Sequence, residues 1–194
     1  MPNSYLDTAL VDKAIIFATK AHKNTGRKAK LTPYIIHPLE VLAICETMTN
    51  DYDILAASVL HDTLEDTDTT YEEIKEEFGT RVADIVLNES DNTLLGYKKD
   101  MDWKEKKLLA IKRLENASLD CKIVALSDKL SNIRAINRDY KQLGDKVWDR
   151  FHEKDPSLHK WRFNELVKAL KDLNDTFAYQ EFVALVNDTF KDVK

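Results

Sequence analysis

Glycine and proline are scarce. Each occurs four times in 194 residues, together about a third of ordinary usage, and a β-sandwich or barrel would need many more turn residues. Cysteine is scarcer still. Cys45 and Cys121 form no CxxC pair and both fall on apolar helical stripes, which reads as buried free thiols in a reducing cytoplasm and rules out a thiolate zinc site. No apolar run approaches the roughly 20 residues of a membrane span; the longest, Ile54 to Leu60, already contains Ser58. The N-terminus has no basic region followed by an apolar stretch, so no secretion signal is expected. Positive charge is not in excess either. With 29 Lys and Arg against 34 Asp and Glu the formal charge is −5, which argues against nucleic-acid or anionic-membrane partners.

What is present reads as a string of helices. Val11, Ile15, Ala18 and His22 recur at helical spacing, predicting a helix from about Asp7 to Lys23. Pro38 suits the first position of a second helix, with His37 at its N-cap. Ile54 to Leu60 is apolar around its whole circumference, the mark of a helix buried on all sides. Thr70 and Glu73 form a capping box for a short helix ending at Phe78-Gly79, and a fifth helix carries Val82, Ile85, Val86 and Glu89. Residues Ser90 to Asp102 read as a long loop. Helices follow near Trp103 to Glu115, Leu119 to Asn137, Trp161 to Leu173 and Asp175 to Phe190, with a short piece around Val147, Trp148 and Phe151. The helix at Leu119 bears two apolar stripes, so it too is expected to be buried on two sides. His22 is expected in the core or at its rim, His152 and His159 on the surface, and the three tryptophans in packing roles. The expectation is an all-α helical bundle of about eight to ten helices forming a single domain over 1–194, its core about 7–140, with helices 141–194 packed on it.

The acidic residues on these buried helices need explaining, because an unpaired buried carboxylate is expensive. The most apolar helix delivers His61 and Asp62 at its end, with Glu65 and Asp66 one turn on, and Asp128 lies midway along the doubly buried helix. Helical spacing sets His61 above Glu65 and Asp62 above Asp66. No Arg or Lys occurs between Asp51 and Tyr71 to neutralise Asp62, Glu65, Asp66 and Asp68. A divalent cation solves the problem, and His37, His61, Asp62 and Asp128 form a nitrogen and oxygen ligand set suited to Mn²⁺ or Fe²⁺ with open positions. The alternative at this point is that His61-Asp62 caps a helix end and Asp128 pairs with a lysine.

Three ordered blocks carry a family resemblance: Thr32-Pro-Tyr-Ile-Ile-His37-Pro, Leu60-His61-Asp62-Thr-Leu-Glu65-Asp66-Thr-Asp-Thr-Thr, and Ala125-Leu-Ser-Asp128-Lys-Leu-Ser-Asn132-Ile-Arg. Together they resemble the HD-domain hydrolases of the RelA/SpoT type, in their small alarmone-hydrolase form. The resemblance implies an enzyme that removes the 3′-pyrophosphate of ppGpp or pppGpp, leaving GDP or GTP. It implies one Mn²⁺ on His37, His61, Asp62 and Asp128, with Glu65 and Asp66 as the catalytic acidic pair, their individual roles open. Arg27, Lys28 and Asn132 match the family's nucleotide contacts, Arg27 packing on the guanine ring. Synthetase activity is not expected, since the chain stops where longer members continue. Three features depart from the family pattern: Ala29 follows Lys28 where a glycine is usual, Ala135 replaces a residue that is often Thr or Asp, and the loop from Asn92 to Asp102 reads longer than in the metazoan form. They leave room for two other readings, an HD phosphohydrolase of another nucleotide such as an NADPH 2′-phosphatase, or a non-catalytic alarmone-binding module. Oligomeric state is not legible.

Overall fold

The computed structural model describes residues 7–27, 32–90 and 100–193. Among these every regular element is a helix, apart from one isolated bridge, Gly26 with Pro33, that closes the segment before the second helix. Chain order is α1 (Ala9–Ala21), α2 (Ile36–Cys45), α3 (Tyr52–Leu60), α4 (Thr63–Asp66), α5 (Tyr71–Phe78), α6 (Thr80–Glu89), α7 (Trp103–Glu115), α8 (Leu119–Leu143), α9 (Pro156–Ala169) and α10 (Phe177–Thr189), with 3₁₀ turns at Gly144–Arg150 and Lys171–Leu173.

Local chemistry sets the ends. Asp51 accepts the backbone N–H groups of Asp53 and Ile54 at the start of α3, and Asp102 and Ser118 do the same for α7 and α8. The Thr70–Glu73 capping box forms as expected. Gly79, at φ 90°, takes a left-handed conformation that lets α5 turn directly into α6.

Helix α3 is the centre. Every residue from Ile54 to Leu60 is buried, between α1, α2, α6 and α8. Each large apolar side chain so placed contributes roughly 1.5–3 kcal/mol. Helix α8 is longer than its periodicity suggested, 25 residues ending at Leu143, because Ile136, Asn137 and Asp139 stay buried beneath α10 and the following 3₁₀ turn. Arg134 pairs with both carboxylate oxygens of Glu181, at 2.7 and 2.6 Å, fastening α10 to α8.

Four local expectations need correction. Helix α2 begins at Ile36, so His37 sits in its first turn and not at the N-cap; Pro38 is accommodated there because N–H groups of a first turn have no helical partner to lose. Helix α3 stops at Leu60, and the four-residue α4 restarts after Asp62. One turn is still kept, Asp66 N–H donating to the Asp62 carbonyl at 2.9 Å. His159 is buried at 3% exposure, not on the surface, since Trp148 from the 3₁₀ turn stacks on it with centroids 5.0 Å apart. Trp148 is core as expected, but Trp103 lines a cleft.

Candidate active site

Three helical regions converge at the mouth of α3. His37 comes from the first turn of α2, His61 and Asp62 from the break between α3 and α4, and Asp128 from the middle of α8. His37 Nε2 lies 3.1 Å from Asp128 Oδ1 and 3.6 Å from Asp62 Oδ2. His61 Nε2 lies 2.9 Å from Asp62 Oδ2 and 3.7 Å from Asp128 Oδ1. Ligand atoms of His37, His61 and Asp128 all fall within 4.8 Å of one another. The side chains of His61, His37, Asp128 and Asp62 are 1, 3, 9 and 21% exposed, so the cluster opens to solvent on the Asp62 side.

The donor set fits a divalent cation. His61 Nε2 is fully buried with no well-formed hydrogen bond among the described residues, although Asp62 Oδ2 stands 2.9 Å away. Each ring is turned by its other nitrogen: His61 Nδ1 donates to the Ser58 carbonyl at 2.7 Å, and His37 Nδ1 donates to Ser131 Oγ at 2.9 Å. Ser131 Oγ in turn donates to Glu40 at 2.9 Å. Such outer partners present Nε2 as a lone pair, the usual arrangement behind metal-bound histidine. Burial favours a neutral His61 ring, but the Asp62 and Asp128 carboxylates outweigh it and push its pKa up to about 9. The cluster asks for positive charge, and a bound cation would supply it in place of that proton.

Asp128 does pair with a lysine as well. Lys129 Nζ lies 2.5 Å from Asp128 Oδ2 and 3.2 Å from Glu89 Oε2. Lys129 therefore holds the carboxylate oxygen turned away from the histidines, leaving Oδ1 to them and to Asn132, which donates to it at 2.6 Å. Burial raises Asp128's proton affinity, yet Lys129 and both imidazoles hold its carboxyl well below the usual range. Burial pushes the Glu89 carboxyl up, against the opposing pull of Lys129.

Glu65 and Asp66 stand exposed on α4 at the open side, lining the same cleft as the cluster. Tyr34, which nothing in its own segment marks as functional, joins the groups: its hydroxyl lies 2.6 Å from Asp62 Oδ2 and 2.8 Å from Asp66 Oδ2. Burial, with both carboxylates beside it, holds the phenol well above the usual tyrosine range, so it keeps its proton. Arg27 reaches in from the segment before α2 and donates to Asn132 Oδ1 at 3.0 Å. Lys28 lies outside the described residues, and Lys23 is exposed and does not line the cleft.

The cleft occupies about 700 Å³ and runs from these residues to a second wall made by α7, the 3₁₀ turn and α9. Lys106, Lys107, Arg150 and Arg162 line it there, beside Trp103 and Phe151. None of these cations was singled out from sequence, because on their own helices they look like ordinary solvated charges.

An HD domain matches residues 14–156, most of the chain. The chain belongs to the HD-domain family, in its RelA/SpoT-type branch. The guanosine-3′,5′-bis(diphosphate) 3′-pyrophosphohydrolase MESH1 of Xenopus tropicalis is 37% identical to this HD-domain protein over 171 residues, 87% of this chain and 88% of that one. A guanosine-3′,5′-bis(diphosphate) 3′-pyrophosphohydrolase of Aquifex aeolicus is 38% identical over 126 residues, 65% of this chain and 18% of its own length. Among solved structures, a metazoan SpoT ortholog described as hydrolysing ppGpp matches the HD-domain fold with a TM-score of 0.75 over 94% of both chains, at 23% identity. A Listeria monocytogenes EGD-e protein matches with a TM-score of 0.70 at 27% identity, over 80% of this chain and 99% of that one. No helix among the described residues is long and apolar enough to cross a membrane.

Proposed function

We propose that this HD-domain protein is a metal-dependent hydrolase of guanosine 3′,5′-bis(diphosphates), removing the 3′-pyrophosphate of ppGpp or pppGpp to leave GDP or GTP. The observation that carries the reading is the convergence of His37, His61, Asp62 and Asp128 beside Glu65 and Asp66, in a chain aligned along most of its length with a relative named for that reaction. Those four residues would hold one Mn²⁺, which when bound supplies Lewis acidity to a phosphoryl group and to water.

The chain's own residues do the rest. Ser58 and Ser131 keep both imidazoles in the tautomer that offers Nε2. In hydrolysis, water oxygen bonds to the phosphorus attached to ribose O3′, the P–O3′ bond breaks, water gives up a proton and O3′ receives one. Glu65 and Asp66 are the groups placed to move those protons. Arg27, oriented by Asn132, offers a planar guanidinium to the guanine ring. A substrate this anionic is repelled by the carboxylates near the cluster, and Lys106, Lys107 and Arg162 on the opposite wall supply balancing charge, Arg150 there being paired with Asp139, with Lys28 as a further contact. We assign the whole chain to one working unit, acting on a small nucleotide without nucleic acid or membrane. Its two buried free thiols, Cys45 and Cys121, suit a cytoplasmic setting.

Protein loaded with Mn²⁺ is expected to release pyrophosphate from ppGpp and to lose this on Asp62→Ala or Glu65→Gln. Inertness toward ppGpp alongside good turnover of another phosphorylated nucleotide, NADPH included, overturns the substrate assignment. Tight ppGpp binding with no turnover under any divalent metal overturns the enzyme assignment.

A further inference from the structure

Tyr34 belongs neither to the ligand set nor to the acidic pair, yet its hydroxyl touches both. A phenol has one hydrogen to give. Two carboxylate oxygens stand within reach of it, Asp62 Oδ2 at 2.6 Å and Asp66 Oδ2 at 2.8 Å, so the two compete for that hydrogen. Asp62 Oδ2 is also the oxygen facing His61 Nε2 at 2.9 Å and His37 Nε2 at 3.6 Å, which makes it the oxygen a cation would engage.

The ring has little freedom to turn away. His22 lies against one face with centroids 4.7 Å apart, His37 meets it edge-on at 6.1 Å, and the Tyr34 backbone N–H donates to the Thr25 carbonyl at 2.9 Å. His22 is itself 3% exposed, and neither ring nitrogen has a hydrogen-bond partner among the described residues. A polar ring is thus buried at some cost in order to back the tyrosine.

We infer that Tyr34 is a positioning residue that links cation binding to the acidic pair: once Asp62 is engaged by a cation, the phenol hydrogen passes from Asp62 to Asp66 and fixes the orientation of that carboxylate. The inference rests on the hydrolase reading above and gives Asp66 a role distinct from that of Glu65. Asp66 is oriented by the phenol only in the metal-loaded protein.

The test begins with Mn²⁺ alone. Titrating metal-free protein with Mn²⁺ is expected to change the ultraviolet absorption of a tyrosine, with the change absent in Tyr34→Phe and different in Asp66→Ala, which leaves the phenol no second carboxylate, while calorimetry shows both variants still bind Mn²⁺. With ppGpp, Tyr34→Phe is expected to lower kcat on the order of 10²-fold, the scale set by misplacing a reacting group, with KM little changed. The double variant Tyr34→Phe/Asp66→Ala is expected to be no slower than Asp66→Ala alone, because residues acting through one another are not additive. Additive losses, an unchanged tyrosine spectrum, or a spectral change identical in wild type and Asp66→Ala overturn the inference. Should Tyr34→Phe fail to fold, the comparison of wild type with Asp66→Ala decides. Wild-type protein that shows the spectral change but releases no pyrophosphate overturns the substrate reading and leaves the tyrosine coupling standing.

Discussion

Lys129→Met isolates the electrostatics behind the metal cluster. Lys129, Asp128 and Glu89 are 16, 9 and 5% exposed, and the ammonium serves both carboxylates. Removing one partner from a buried ion pair costs about 3–5 kcal/mol, and here two anions are stranded by one substitution. One of them has an escape. Burial already holds the Glu89 carboxyl above its ordinary value of 4.5, and without Lys129 it rises further, so folded Glu89 keeps a proton that the unfolded chain releases. The folded state then binds more protons than the unfolded one, and its stability falls as pH rises above 4.5. The deficit of Lys129→Met relative to wild type should therefore be smallest near pH 5 and full near pH 8. Saturating Mn²⁺ should narrow it, since a cation on Asp128 replaces the missing charge, and binding at a hundredfold excess over Kd is worth about 2.7 kcal/mol. Urea unfolding followed by circular dichroism at both pH values, with EDTA and with Mn²⁺, measures all of this. A deficit below about 1 kcal/mol, the ordinary range of point substitutions, or one that does not change with pH, refutes the reasoning.

Other substitutions probe separate parts. Ser131→Ala removes the acceptor that orients His37, and Mn²⁺ affinity measured by calorimetry should fall about 10–100-fold; an unchanged affinity discards the supporting role. His159 is held below its ordinary value of 6.5 chiefly by burial, so the unfolded chain takes up its proton first and wild-type stability should drop as pH falls below 6.5. His159→Gln, which keeps a donor for the Glu153 carbonyl, should flatten that acid-side loss in thermal denaturation, and an identical pH slope rejects the assignment. Leu60→Ala, at a side chain with no exposure in the heart of α3, should cost about 2–5 kcal/mol in urea unfolding; near-neutral stability would mean α3 is less tightly enclosed than it looks.

Much of the fold was legible because burial leaves a pattern in composition. The apolar circumference of Ile54 to Leu60 announced a central helix before any partner was known, and the twin stripes of α8 announced a second. Its extension to Leu143 was not legible, because what buries Asn137 and Asp139 is a distant α10 and a 3₁₀ turn. His159 shows the same limit: between Leu158 and Lys160 nothing local distinguishes it from a surface histidine, and its burial is the work of Trp148. At the candidate site, His37, His61, Asp62 and Asp128 stand out as polar residues on apolar helices, and three spaced motifs tie them together. Tyr34, Ser131, Lys129 and Glu89 did not stand out. Their parts depend on side-chain contacts across up to 94 residues of chain, and each residue type is unremarkable in its own segment.

Because His37 and Asp128 lie 91 residues apart on α2 and α8, with Asp62 between them at the α3–α4 break, an ion held by all three is a clasp as well as a reagent. It would fasten helices that otherwise meet there through side-chain contacts alone. Chelation should therefore loosen the bundle at its centre as well as silence it, and metal supply would govern the protein's lifetime together with its turnover.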